Sequence, residues 1–181
     1  YASLTEIFSP QGVQDVNGNT LKPLTGTNYE LGVKGAYFDG ALNASAALFR
    51  ISQRNRAVRD EANCPTSGVA SCYRAAGEIE SDGVELQLSG ALTPSWQISA
   101  GYAYTSARYT RDSVAENVGQ RVSTDEPRHL FLLASSYRLP GRYSRWTING
   151  LLQGQSRVYT AEPGYYTEQG HYLLASLGAV Y

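Results

Sequence analysis

The chain of 181 residues contains no methionine, only two cysteines and two histidines, and no apolar run near the eighteen or so residues of a membrane-crossing helix. That last absence excludes a helical membrane protein but not a strand-crossing one, whose alternating segments keep average hydropathy modest. Mean hydropathy is −0.33. Charge of either sign is sparse, with 15 basic and 16 acidic residues netting −1, so no electrostatic footprint points to nucleic acid or to an anionic surface. Histidine and cysteine are too few and too scattered for a metal-ligand set. His129 and His171 fall in different segments, and neither cysteine stands near them. No segment of useful length has helical periodicity, and no phosphate-cradling glycine motif occurs. A catalytic role is not expected.

What the chain does have is tyrosine (14), glycine (18) and alternation. In Asn28–Asn43, Tyr29, Leu31, Val33 and Tyr37 fall on one parity while Glu30 and Lys34 fall on the other. A period of two marks a strand with one oily and one wet face, and Asp39-Gly40 supplies a tight reversal. Strand-like runs recur over about 1–9, 27–38, 41–54, 73–90, 96–110, 125–139, 146–159 and 170–181. The joints at 38–40, 91–95 and 140–145 are short. Those at 10–26, 55–72, 111–124 and 160–169 are longer and polar. Short turns at one end and long loops at the other describe an all-β, antiparallel up-and-down transmembrane β-barrel wall of about eight strands. Several runs also exceed the five or six residues usual in a soluble sandwich.

Parity repeats along the chain. Val84, Leu86 and Leu88 alternate with Glu85, Gln87 and Ser89, and Trp96, Ile98, Ala100, Tyr102 and Tyr104 alternate with small or polar residues. Trp146, Ile148 and Leu152 alternate with Thr147, Asn149 and Gln153. Run 41–54 is ambiguous, because Leu48 and Phe49 lie on opposite parities. Leu130–Leu133 is apolar on both, so its lumen side is expected to pack on something. Aromatics predict two interfacial bands. Tyr37, Phe38, Trp96, Tyr137, Tyr143 and Trp146 lie beside the short turns, and Tyr29, Tyr109, Tyr159 and Tyr172 at the other end. Glu78, Glu80 and Asp82 share a parity, which reads as a wet lumen or extracellular face rather than catalytic carboxylates.

Cys64 and Cys72 enclose a short polar loop with no histidine nearby, so a disulfide is expected. It implies an oxidising compartment and stiffens an exposed loop by about 2–3 kcal/mol.

Tyr1-Ala-Ser-Leu-Thr-Glu-Ile-Phe-Ser-Pro10, Leu24-Thr-Gly-Thr-Asn-Tyr-Glu-Leu-Gly-Val-Lys-Gly35, Leu42–Ile51, Gln53, Asn55-Arg56, Ser81–Leu88, Leu92–Gln97 and Pro127-Arg-His129 occur in an order that resembles the C-terminal barrel portion of TonB-dependent outer-membrane siderophore receptors. Within that family the chain most resembles receptors for ferric hydroxamate or mixed siderophores such as pyoverdine, coprogen and alcaligin. The resemblance implies a barrel of about twenty-two strands around an N-terminal plug. On that expectation residues 1–181 are part of the barrel domain, beginning in mid-protein, with plug, TonB box and closing strands absent. It implies capture of a ferric siderophore at the extracellular face and import driven by TonB and its inner-membrane energising complex through the plug. The iron is then carried by the siderophore, with no protein cofactor or metal ligand. Outer-membrane lipid and lipopolysaccharide are the other expected partners, and nucleic acid is not.

An anionic, partly aromatic ligand suits Tyr and Arg on the outer loops, which selects Tyr109, Arg111, Arg121, Arg157, Tyr159, Tyr165 and Tyr166. The same tyrosines would equally serve an interfacial girdle, and the same arginines lipopolysaccharide phosphates or loop carboxylates. A passive porin-like barrel and a soluble β-rich binding module stay open on residues alone.

Overall fold

A computed structural model describes every residue except 61, 62, 65–71 and 163, with Glu162 described by its backbone only. Its strands are β1 (Ala2–Ser9), β2 (Leu24–Tyr37), β3 (Leu42–Arg59), β4 (Tyr73–Thr93), β5 (Trp96–Arg111), β6 (His129–Arg138), β7 (Thr147–Gln155), β8 (Val158–Glu162), β9 (Tyr165–Gln169) and β10 (Tyr172–Val180). Eight of them form one antiparallel sheet in the order β1-β2-β3-β4-β5-β6-β7-β10, while β8 and β9 pair as a separate hairpin. The predicted meander is present. The predicted run 146–159 ends early at Gln155, because Ser156 and Arg157 turn the chain out of the sheet into a hairpin that starts at Val158 and takes up the expected 160–169 loop.

Register settles the two faces. One row runs Val33–Ala46–Leu86–Tyr102–Phe131–Gly154–Leu173, and the next row of the same face runs Leu31–Leu48–Val84–Tyr104–His129. The opposite face carries Lys34–Ser45–Gln87–Gly101–Leu132–Gln153–Leu174. Leu31, Val33, Leu48 and Leu173 are 56–68% exposed on the first face. Among the described residues only Leu21, Leu42, Val58, Cys72 and Ile79 are buried apolar side chains. A soluble domain of this length would cover its apolar stripe with a second layer. Here a single layer leaves it bare, as a lipid-facing wall requires.

The apolar band has a sharp upper edge. One step up the register, Leu48, Val84 and Tyr104 give way to Arg50, Asp82 and Ser106. Arg50 Nε lies 2.6 Å from Asp82 and 3.8 Å from Glu80. Glu80 and Asp82 therefore share the outward face with Val84 and stand above the band, which supports the extracellular alternative for this cluster and not the lumen one. From Tyr104 down to Trp96 is about 26 Å along the strand at about 3.3 Å per residue, close to the thickness of a barrel's apolar belt. Strands β6, β7 and β10, with 10, 9 and 9 residues, have crossing length. β3, β4 and β5, with 18, 21 and 16, overshoot it at the long-loop end.

The aromatic bands are partly as expected. At the short-turn end Trp96 meets Tyr137 edge-on at 6.2 Å, and Trp96 Nε1 donates to Ser135 Oγ. At the upper edge the ring residues are Tyr29, Tyr102 and Tyr104, the last two grouped around His129, whose Nδ1 is 2.8 Å from the Tyr102 hydroxyl. Tyr109 and Tyr172 belong to the opposite face, since they share rows with Ile79 and with Gln155 and Leu130. Tyr159 lies in the β8–β9 hairpin, outside the wall. These three leave the predicted outer girdle.

Candidate functional site at the extracellular mouth

The overshooting strands build a mouth. Between the upper ends of β3 and β4 and the β5–β6 loop is a pocket of about 510 Å³, lined among others by Arg56, Asp60, Tyr73, Arg74, Tyr109 and Asp112. The pocket floor is tied to the β1–β2 loop, where Tyr73 N donates to the Gln14 carbonyl at 3.0 Å. Cys64 and Cys72 are bonded, with Cα atoms 5.4 Å apart, and Asp60 N donates to the Cys72 carbonyl, so the expected disulfide closes the β3–β4 loop just above the pocket. The residues between the cysteines lie outside the described residues.

A second group forms around the β8–β9 hairpin. Tyr159 stacks on Tyr166 with centroids 6.1 Å apart and planes 29° from parallel. Arg157 Nη1 pairs with Glu168 at 3.5 Å, and the Tyr166 hydroxyl donates to Glu168 at 2.6 Å. That hydroxyl holds the Glu168 carboxyl below its ordinary value, with Arg157 acting in the same direction, and the same contact raises Tyr166. The hairpin is moored to the β5–β6 loop by Tyr159 N donating to Thr124 O at 2.9 Å. In that loop Arg121 bridges across to Arg108 and donates to the Glu126 carbonyl. Burial, reinforced by the like charge of Arg128, makes the Arg121 guanidinium easier to deprotonate. Arg128 Nε is itself buried and has no hydrogen-bond partner among the described residues.

The seven sequence-selected residues thus divide. Arg121, Arg157, Tyr159 and Tyr166 come together on one side of the hairpin. Tyr109 lines the pocket. Arg111 is tied to Glu78 at 3.3 Å, and Tyr165, opposite Glu162, sits on the other face of the hairpin from Tyr166. Sequence reasoning missed Arg56, Tyr73 and Arg74. The available signal was that they flank the disulfide loop on strands too long to end at the membrane edge.

Lower on the same concave side, Glu85, Gly101, Leu130, Leu132, Gln155 and Tyr172 help line a hollow of about 440 Å³. Leu130 and Leu132 are 47% and 43% exposed there, and Leu174 of the same face is 51% exposed, where an open pore would carry polar groups.

The whole of residues 1–181 matches the family described as TonB dependent receptor-like, beta-barrel. The chain belongs to the TonB-dependent receptor β-barrel family. It is 39% identical to the ferric-pyoverdine M114 receptor PbuA of Pseudomonas sp. (strain M114) over 90% of its own length and 19% of that protein's. It is 40% identical to the ferrioxamine B receptor of Salmonella typhimurium (strain LT2) over 64% of the chain and 16% of that receptor. Among solved structures, the ferripyoverdine receptor of the outer membrane of Pseudomonas aeruginosa, bound to ferripyoverdine, matches with a TM-score of 0.85 at 32% identity, over 98% of this chain and 24% of that one. The alcaligin outer-membrane receptor FauA from Bordetella pertussis matches with a TM-score of 0.75 at 36% identity, covering 98% and 28%. The chain therefore spans about a fifth of the length of the curated receptors it matches. Membership places the sheet in the outer membrane as barrel wall, and the soluble-module reading falls. The TonB-dependent receptor family consists of transport receptors, not enzymes.

Proposed function

We propose that this chain supplies wall and extracellular mouth to a receptor that binds a ferric siderophore of the pyoverdine or hydroxamate type and imports it with TonB-coupled energy. The observation that carries the reading is the match of nearly the whole chain to receptors whose ligands are ferric-pyoverdines, in the segments that build the mouth as well as the wall. The mouth chemistry supports it. Arg121 and Arg128 are like charges held close in a partly desolvated loop, with Tyr159 and Tyr166 beside them, and an anionic aromatic ligand would relieve the repulsion and stack on the rings. Tyr73, Arg74 and Tyr109 offer a second patch of the same kind. Iron is held by the siderophore. The apolar lumen hollow under Leu130 and Leu132 suits a plug, through which TonB would act, better than it suits the water column of a passive pore.

The reading is tested in cells whose siderophore receptor is the one carrying this chain. Uptake of radiolabelled ferric pyoverdine and ferrioxamine B is measured with and without TonB. Uptake that saturates, and that disappears without TonB, is expected. Uptake that persists without TonB would favour a porin. In binding assays on whole cells, R74Q and R121Q should each weaken ferric-siderophore binding by about tenfold, whereas R111Q, already paired with Glu78, should change it less than twofold.

A further inference from the structure

At the opposite end of the wall, the β6–β7 turn gathers three arginines that no acidic side chain among the described residues neutralises. Arg138, Arg142 and Arg145 make no ion pair among the described residues. The 91–95 turn beside them is uncharged, and Asp39, in the 38–41 turn, is separated from them by at least three strand spacings, about 14 Å, beyond the screening length at physiological salt. The turn is rigid for its size. Ser144 N donates to Gly141 O and Trp146 N to Tyr143 O, two successive turns of about three residues that hold Arg142 and Arg145 three positions apart on a tight backbone.

Both guanidinium groups lie over rings. Arg142 is 4.7 Å from the Tyr143 centroid and Arg145 is 6.0 Å from that of Tyr181, with Arg145 Nη1 donating to the Tyr181 hydroxyl at 3.1 Å. Arg142, over its ring, keeps its N–H edge free for two phosphate oxygens at once, and Arg145 keeps the donors it does not spend on Tyr181. Trp146 closes on Tyr181 at 5.1 Å, so the charges sit at the level of the interfacial aromatic band. Above them, on the lipid face, Ser135, Gly150 and Leu177 share one register row, where the Leu177 side chain reaches over Gly150 and leaves an exposed apolar surface.

We infer that this turn is a headgroup site for an anionic glycerophospholipid of the periplasmic leaflet, with the phosphate on Arg142 and Arg145 and an acyl chain along the Gly150 row. The inference is independent of the siderophore reading.

The test is native mass spectrometry of the detergent-purified protein after incubation with equimolar phosphatidylglycerol and phosphatidylethanolamine. Wild type should retain phosphatidylglycerol about fivefold or more over phosphatidylethanolamine. R142Q/R145Q should lose that preference, and R111Q/R157Q, at the far end, should keep it. R142Q alone touches only its neighbouring ring, so it tests the site even if the double variant does not fold, and it should lose about half the preference. No preference in wild type, or full preference in folded R142Q or R142Q/R145Q, would overturn the site.

Discussion

Gln11 holds both sides of a break in a strand forty-odd residues away: its Nε2 donates to the Asn55 carbonyl at 2.7 Å and its Oε1 accepts from Ala57 N at 2.9 Å. The break is a bulge, where the β3–β4 register shifts between Gln53 and Ala57 and Asn55 takes φ of 61°. A bulge leaves ladder groups unpaired, and the Gln11 amide replaces the missing partners. Gln11→Ala should therefore cost about 1–3 kcal/mol locally, because it strands a part-buried N–H and C=O together. Hydrogen exchange at the Ala57 amide should accelerate at least tenfold while exchange in the lower halves of β3 and β4 stays unchanged. Unaltered Ala57 protection would mean that the bulge is held by its own strands.

The hairpin group gives a pH prediction with a definite sign. Glu168 is depressed from its ordinary 4.5 by the Tyr166 hydroxyl first and Arg157 second. A carboxylate with a depressed folded value stabilises the fold above its unfolded value and loses that contribution as pH falls through the folded one. β8–β9 pairing should thus be constant from pH 8 to 5 and loosen only below about 4.5. E168Q should show a looser hairpin already at pH 7 and no acid step. Amide exchange in Thr160 and Thr167 reads both, and an acid step that survives in E168Q would assign it to another group.

The Cys64–Cys72 bond closes a loop whose base is already laddered by Asp60 N to Cys72 O. Cys64→Ser should leave barrel assembly intact, with unchanged heat-modifiable gel mobility, and increase proteolytic nicking within 55–72. Loss of the folded band would show that the bond acts on the barrel as well as on its loop.

Much of the wall was legible because lipid imposes a period of two that no later packing blurs: Leu31, Val33, Val84, Leu86 and Ile148 could be placed by parity alone. Parity failed where both phases were apolar or where position at a strand end was read instead of phase. Tyr172-Leu173-Leu174 offers no phase of its own. Tyr109 keeps an unbroken register with the wall below it, and its phase, opposite to that of Tyr102 and Tyr104, assigns it to the lumen; only its position at the strand end suggested the girdle, as it did for Tyr172. The mouth was less legible still. Arg121 meets Tyr159 only because a hairpin, hidden in a polar loop, docks on Thr124, and no local pattern encodes that docking. The Arg157–Glu168 and Arg111–Glu78 pairs likewise exist only once the strands are in register.

Leu48 and Phe49, which fell on opposite parities, resolve into different duties. Leu48 faces lipid at 56% exposure, while Phe49 turns into the lumen and lies over its cross-strand partner Gly83. A Cβ at Gly83 would overlap the Phe49 ring and come within 2.6 Å of the Tyr104 carbonyl, so neither side chain nor backbone can yield freely. An aromatic ring covering a strand glycine restores the packing that the glycine lacks. Gly83→Ala should therefore destabilise the wall by about 1–3 kcal/mol, seen as a lower urea midpoint for loss of the heat-modifiable band. Phe49→Leu should cost less, since the smaller side chain still covers part of the glycine. The double variant should recover part of the Gly83→Ala loss, because it removes the ring that the new methyl would strike. Simple additivity of the two losses would show that the Tyr104 carbonyl, and not Phe49, is what requires glycine at position 83.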